Sequence, residues 1–282
     1  MDNVGYCEKL VREADRDRYL ATLFAPLRHR GGLFALHAFD IELSRVRERV
    51  SGPLPGEIRL QWWSEVLSGL RADEARSNPV AAALAATIAG YRLPPALLDN
   101  VVAARRFDIY DEPMASLEAL EAYAADTTGT LLACAVRILM DGHETHAAPL
   151  VRPLATAATL ARILWHFPAH LAAAQFFLPA DVAQRHQLGD EDLFPDGDHG
   201  KLRASLGEVR AVAQRRLAEA GAHLDLLPAV ALPALMPFAL TGTMLERFAR
   251  AGDDPFMRRE IGPMRRQWLL WRASRNPARV FR

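Results

Sequence analysis

Lysine and cysteine are nearly missing from this sequence. Only Cys7 and Cys134 carry thiols in a chain of 282 residues. That excludes a disulfide-stapled scaffold and leaves too little sulfur for a structural zinc site without several histidines, so a reducing compartment is expected. The 34 basic residues include only Lys9 and Lys201, so arginine carries nearly all the positive charge. Net charge is absent too, because 34 acidic residues balance the 34 basic ones. A generally basic chain that coats nucleic acid is thereby excluded. No clean membrane span of about twenty apolar residues is present. The longest apolar stretch, Leu224 to Leu245, is interrupted by Asp225, Pro228, Pro233, Pro237 and Gly242. Met1 to Asp17 mixes charges of both signs and lacks the apolar core of a secretory leader. The expectation is a cytoplasmic chain, at most peripheral to a membrane.

Strand patterning is also lacking, since no run of β-branched residues alternates with polar ones for long enough. What is there is helical. Leu36, Phe39 and Leu43 recur at i, i+3 and i+7, the mark of a helix with one buried stripe. Segments rich in Ala, Leu, Arg and Glu follow at 58–70, 79–90, 95–109, 117–139, 149–172, 201–222 and 229–250. Breakers separate them: Gly52-Pro53-Leu54-Pro55-Gly56, Pro94-Pro95, Asp141-Gly142-His143 and the run from Phe194 to Gly200. The chain therefore reads as all-α with about eight or nine core helices, no fixed-period repeat and no low-complexity linker. One helical domain is expected over 1–255.

The neutral sum conceals an uneven distribution. From Phe256 to Arg282 there are eight arginines, Arg258 among them, against the single acid Glu260, so this segment carries +7 and the rest −7. Met264, Trp268 and Trp271 fall at i, i+4 and i+7 with Arg265 and Arg266 beside them. A basic amphipathic helix with tryptophans suits an anionic membrane surface or a partner. The same helix can instead pack its tryptophans onto the body and leave its arginines in water. Nucleic acid is not expected, because basic and aromatic residues form one short helix rather than an extended groove. The segment 256–282 is thus set apart as an arginine-rich amphipathic tail.

Four fragments carry a more specific signal: Arg18-Tyr19-Leu20, Leu33-Phe34-Ala35-Leu36-His37-Ala38-Phe39, Tyr123-Ala124-Ala125-Asp126-Thr127-Thr128-Gly129-Thr130, and Phe176-Phe177-Leu178-Pro179-Ala180-Asp181. In this order and spacing, from about residue 15 to 250, the chain resembles the squalene/phytoene synthase family. The resemblance implies an isoprenoid synthase-like single-domain helical bundle around a central cavity. It also implies two aspartate-rich motifs that hold magnesium against a prenyl diphosphate, whose leaving-group charge must be neutralised.

The motifs themselves depart from that pattern. Aligned on Ala35 to Phe39, the Asp-Asp-x-x-Asp motif falls on Ser44-Arg45-Val46-Arg47-Glu48, where only Glu48 keeps a carboxylate. Aligned on Phe177-Leu178-Pro179, the Asp-x-x-x-Asp motif falls on His166-Phe167-Pro168-Ala169-His170, with Pro168 interrupting the helix. The customary Arg before the Tyr-Leu-Pro segment is Gln175, and the Tyr is Phe177. One carboxylate and two imidazoles make a poor hard-cation site, as imidazole suits zinc, nickel or copper. No cofactor is expected; Mg²⁺ enters only if the chain is an enzyme.

Leu54-Pro55-Gly56-Glu57-Ile58-Arg59-Leu60-Gln61-Trp62-Trp63 is similar to segments in the branch containing the mitochondrial complex I assembly factor and its bacterial relatives. That likeness implies a non-catalytic role in assembling a respiratory membrane complex, peripheral to the inner membrane, or the binding of a prenyl or lipid ligand there. Two alternatives stand beside it: an active prenyl-diphosphate transferase with an altered metal site, and an all-α carrier of a hydrophobic ligand. His166 and His170 share a face and can ligate a transition metal with Glu48, or simply pack. Arg45 and Arg162 can hold an anionic headgroup without metal, although Arg45 and Arg47 do not share a helix face. Tyr123, Gln175 and Phe177 are further ligand contacts that the resemblance implies.

Overall fold

The computed structural model describes residues 2–110, 112–173, 175–194, 199–250, 254–257 and 259–282. Residues 195–198 of the expected break and Arg258 of the basic run lie outside the described residues. No strand occurs among the described residues. The chain begins with α1 (Asn3–Ala14) and α2 (Arg16–Thr22), continues through the long α3 (Leu27–Ser44) and α4 (Pro53–Leu67), and then runs α5 (Ala72–Ser77), α6 (Pro79–Tyr91) and α7 (Pro95–Arg105). Next come α8 (Leu117–Ala124), α9 (Thr130–Leu139), α10 (Ala148–Trp165), α11 (Phe167–Ala172) and α12 (Ala180–Arg185). Last are α13 (Gly200–Ala222), α14 (Thr241–Arg250) and α15 (Pro263–Arg275).

Local chemistry sets many of these boundaries. The Asp2 carboxylate accepts the Gly5 N–H at 2.7 Å and so caps α1, and Asp15 does the same for α2 through the Arg18 N–H. Pro53, Pro79, Pro95 and Pro263 stand in the first turns of their helices, where a missing N–H costs nothing and the fixed φ already fits. For that reason α4 starts at Pro53, five residues ahead of the expected 58. The stretch read as a breaker is the helix's own first turn.

Two other expected helices are interrupted. In 117–139, a π-turn over Ala125–Gly129 separates α8 from α9. In 229–250, Pro233 and Pro237 remove backbone donors, so the first half is a 3₁₀ segment over Ala229–Phe238 and only the second half is α14. Ala229–Ala249 is long and apolar enough by composition to cross a membrane, yet its Ala231, Leu235 and Leu240 are buried within the body.

Two helices form the centre, each burying most of its length despite a few charged residues. α3 buries Leu33, Phe34, Leu36, Phe39 and Leu43, and α10 is buried on nearly every side from Leu150 to Trp165. α1 and α6 pack on α3, whereas α13, the π-turn and α14 pack on α10. One contiguous core joins them.

The basic C-terminal segment does not stand away from this core. Ile261 packs with Trp165 and Leu240, and Leu270, Ala273 and Val280 are buried. A Cβ added at Gly242 would collide with the carbonyl of Arg282. The last residues therefore lie directly on the start of α14.

Candidate functional site

Between α2, α3, α7, α8 and α10 lies a polar cavity of about 210 Å³, organised around one buried carboxylate. Asp40, on the inward face of α3, is 3% exposed. It accepts Arg18 Nη1 at 2.6 Å and Arg105 Nη2 at 2.8 Å. Arg105 Nη1 reaches Asp108 at 2.9 Å and the Tyr123 hydroxyl at 2.7 Å, and that hydroxyl donates to Asp108 Oδ1 at 2.7 Å. Burial alone would push the Asp40 carboxyl up, but Arg105 and Arg18 outweigh it and hold the group well below the usual carboxylate range. Burial and the neighbouring Asp108 push the Tyr123 hydroxyl far above its ordinary value, so it stays neutral. Tyr123, expected as a ligand contact, is thus engaged in a closed protein network at the cavity wall.

A second cavity of about 340 Å³ adjoins the first and is mostly apolar, walled by Leu131, Leu132, Trp165, Phe238 and Met244 among others. The two lobes share Asp15, Arg18, Thr128, Arg162 and His166. The π-turn shapes the junction: Thr128 is turned so that its hydroxyl hydrogen-bonds Thr159 of α10 at 2.9 Å. Arg162 projects from α10 into this junction and opens onto both lobes, where its side chain is accessible. Burial and the nearby Arg18 lower its proton affinity, yet a guanidinium remains charged at neutral pH. No carboxylate lies within ion-pair distance of Arg162 among the described residues.

The motif positions separate in space. Ser44 and Arg45, at the end of α3, line the polar lobe. Glu48 does not; it sits exposed on the 3₁₀ turn Arg47–Arg49, outside the lining. Arg47 beside it donates to the Ala173 carbonyl at 3.0 Å. Pro168 does break the helix, since α10 ends at Trp165 and α11 restarts at Phe167. His166 and His170 nevertheless both face the polar lobe, with ring centroids 6.1 Å apart. Burial and Arg162 lower the pKa of His166; burial, His166 and Arg162 bring that of His170 down to about 4. Both imidazoles are therefore neutral at pH 7. Phe177 lies 5.0 Å from the His170 ring, and Gln175 lines a separate narrow crevice on the other side of Phe177.

This donor set does not fit magnesium. The ion wants several hard oxygen ligands in near-octahedral array. The positions that would supply them offer a serine, an arginine and two neutral imidazoles, while Asp15 and Asp40 are already held by Arg18. Glu48 lies outside the lining that the histidines share, and no cluster of three or more His, Cys, Asp or Glu suited to a metal occurs among the described residues.

Sequence reasoning missed Asp40 and Arg105 as architects of the site. Asp40 did carry a signal, because a carboxylate immediately after the Leu36 and Phe39 of a buried stripe must find a cationic partner. Nothing local marks Arg105 as that partner.

On α15 the expected contact residues divide. Arg266 turns inward, pairs with Asp17, donates to the Ile261 carbonyl at 2.7 Å and lines the apolar lobe. Arg265 faces out with Trp268 (48% exposed), Trp271 (56%) and Met264 (85%), and the Arg272 guanidinium lies 4.2 Å over the Trp268 ring.

Comparison with known proteins places this geometry. The squalene/phytoene synthase family model matches residues 11–272. Human NADH dehydrogenase (ubiquinone) complex I, assembly factor 6 is 28% identical over 253 residues, covering 89% of this chain and 75% of the human one. Its homolog from Drosophila melanogaster is 27% identical over 296 residues, covering 99% and 84%. Among solved structures, the squalene synthase HpnC from Alicyclobacillus acidocaldarius superposes with a TM-score of 0.79 at 20% identity, over 90% of this chain and 95% of that one. A ligand-bound dehydrosqualene synthase gives 0.79 at 16% identity, over 96% and 94%. At these identities the structural likeness shows a shared fold, the isoprenoid synthase-type helical bundle.

Proposed function

The chain belongs to the squalene/phytoene synthase family, and from that premise we propose that it is a non-catalytic member acting in the assembly of a respiratory membrane complex of the complex I type. The observation that carries the proposal is the donor set at the two motif positions. Ser44, Arg45, His166 and His170 line the polar lobe where a metal-assisted ionisation of a prenyl diphosphate would need carboxylates. The names of the assembly-factor relatives, similar over nearly nine-tenths of this chain, support the same reading. A seat on the membrane surface belongs to it: the outward Met264, Trp268, Trp271 and Arg265 of α15 suit the interface of an anionic leaflet.

Two measurements test it. Tagged chain expressed in a host with a membrane NADH dehydrogenase is expected to co-purify with subunits of that complex. Incubation with farnesyl diphosphate and Mg²⁺ or Mn²⁺ is expected to release no diphosphate. Diphosphate release with a condensed hydrocarbon product overturns the proposal and establishes a transferase.

A further inference from the structure

The C-terminal segment rests on the body in two unequal parts. Leu270, Ala273 and Val280 belong to the main core and anchor the second half of α15. Ile261 packs instead with Trp165 and Leu240, flanked by Met244 and Leu269, in a small cluster separate from that core. Trp165, Leu240 and Met244 line the apolar lobe, and so does Arg266. Residues 261–269 therefore form a strap over one wall of the lobe. Just ahead of it, Arg247 of α14 donates to the Glu260 carbonyl, so the strap is held at both ends. Between those ends its ionic tie is Arg266 with Asp17 of α2. Burial pushes the Asp17 carboxyl up even beside Arg266, so desolvation opposes the charge that this pair needs. Local opening costs least where a segment has few buried apolar contacts, and here they are Ile261 and part of Leu269. The outer face of the same strap carries the exposed Met264, Arg265 and Trp268.

We propose that the strap 261–269 is a membrane-responsive gate: seating its outer face on an anionic leaflet breaks the Arg266–Asp17 pair, lifts Ile261 from Trp165 and Leu240, and opens the apolar lobe. A leaflet can shift this equilibrium only if it binds the open form better than the closed one. The side chains that face inward supply that difference. Once lifted, Ile261 and Leu269 add aliphatic surface to the bilayer interface. Arg266 exchanges the Asp17 carboxylate for lipid phosphate, which its planar guanidinium matches equally well. One helix thus carries the handle on its outer face and the latch on its inner face. The inference rests on the membrane seat of α15 proposed above and adds what that seat controls.

The test uses the full chain carrying Met244→Cys, whose introduced thiol reports the lobe wall behind the strap. It is labelled with N-ethylmaleimide, a small neutral reagent, and read by mass spectrometry. Labelling is expected to run about tenfold faster with phosphatidylserine-containing vesicles than in buffer or with phosphatidylcholine vesicles. Cys7 and Cys134 are buried in the main core and are expected to stay unlabelled throughout. If they label along with the introduced thiol, the chain has unfolded generally and the gate is overturned. Asp17→Asn, added to the same chain, is expected to speed labelling about threefold in buffer alone, because it releases the latch without a membrane. Arg266→Gln provides the same contrast should that variant fail to fold, and an unchanged rate in both overturns the latch. Flotation of the same samples keeps the two readings apart. Protein that does not float with the anionic vesicles overturns the membrane seat and the gate together. Protein that floats while its labelling rate stays unchanged overturns the gate alone.

Discussion

Asp40 makes Arg105 the least replaceable side chain near the cavity. Arg105→Ala would leave Asp40 and Asp108 buried with one guanidinium fewer, and removing one partner of such a network costs about 3–5 kcal/mol. A urea titration should show the midpoint fall accordingly; a change within about 0.5 kcal/mol would show that water replaces the guanidinium at no cost. Arg105→Lys is expected to recover only part of the loss, because an ammonium cannot reach Asp40, Asp108 and Tyr123 from a planar fork. His37 adds a pH dependence of its own. Burial and then Arg18 bring its pKa from 6.5 down to about 4, so it is neutral in the folded chain. Below pH 6.5 the unfolded chain takes up a proton that the folded chain refuses. Stability is therefore full above pH 6.5 and declines as pH falls toward 4, by on the order of 3 kcal/mol from this group. His37→Gln should flatten that slope in urea midpoints measured at pH 7, 5.5 and 4.5, and an unchanged slope would assign it to other groups. The carboxylates Asp15 and Asp40, whose pKa values are lowered, act in a separate window, losing their contribution only below the ordinary carboxylate range near 3.8.

α15 has two faces with different consequences. Its inner face, with Leu270, Ala273 and Arg266, closes the body and part of the apolar lobe. Deleting 256–282 should therefore destabilise the whole chain and lower its melting temperature, besides removing the basic surface. The outer face can be changed separately. Trp268→Ala with Trp271→Ala, and Arg265→Gln added, should leave the melting temperature within a degree or two while reducing flotation with phosphatidylserine-containing liposomes. Neutral liposomes should float little of either protein, since about 1 kcal/mol per well-placed charge comes from the anionic leaflet. Equal flotation by parent and triple variant would place membrane contact elsewhere. The π-turn between α8 and α9 matters to the cavity in a comparable way: one inserted residue in Ala125–Gly129 re-aims Thr128 at the junction of the lobes, which a regular helix of the same sequence could not do.

At the scale of the molecule, the two thiols report how completely the bundle is closed. Burial pushes both Cys7 and Cys134 up to about 12, so neither is a thiolate at neutral pH. A thiol reagent at pH 8 should modify neither in the native chain and both after denaturation; fast labelling without denaturant would reveal local opening of α1 or α9. The helical class was legible in the sequence because apolar residues recur at helical spacing and alternate nowhere, and the order of four short fragments carried the family. The fate of the motif carboxylates was legible too, residue by residue, at Ser44, His166 and His170. Less visible were features that depend on three dimensions. Gly52 to Gly56 reads as a breaker by composition, yet proline at the start of a helix promotes it, and only the packed chain fixes which case applies. Glu48 shares a motif with Ser44 in sequence but not a wall in space, because α3 ends between them. The pairing of Asp40 with Arg105 spans three helices and leaves no local trace. What the sequence by itself determined is the class and the family, consequences of short-range periodicity and of the order of four fragments, and which residues stand where the resemblance places the metal motifs. Only the tertiary structure decided that the basic C-terminal segment docks rather than dangles, and that Arg162 is left without a carboxylate between a polar and an apolar lobe. Charge compensation is a property of neighbours in space, and a neutral composition cannot say which charges meet.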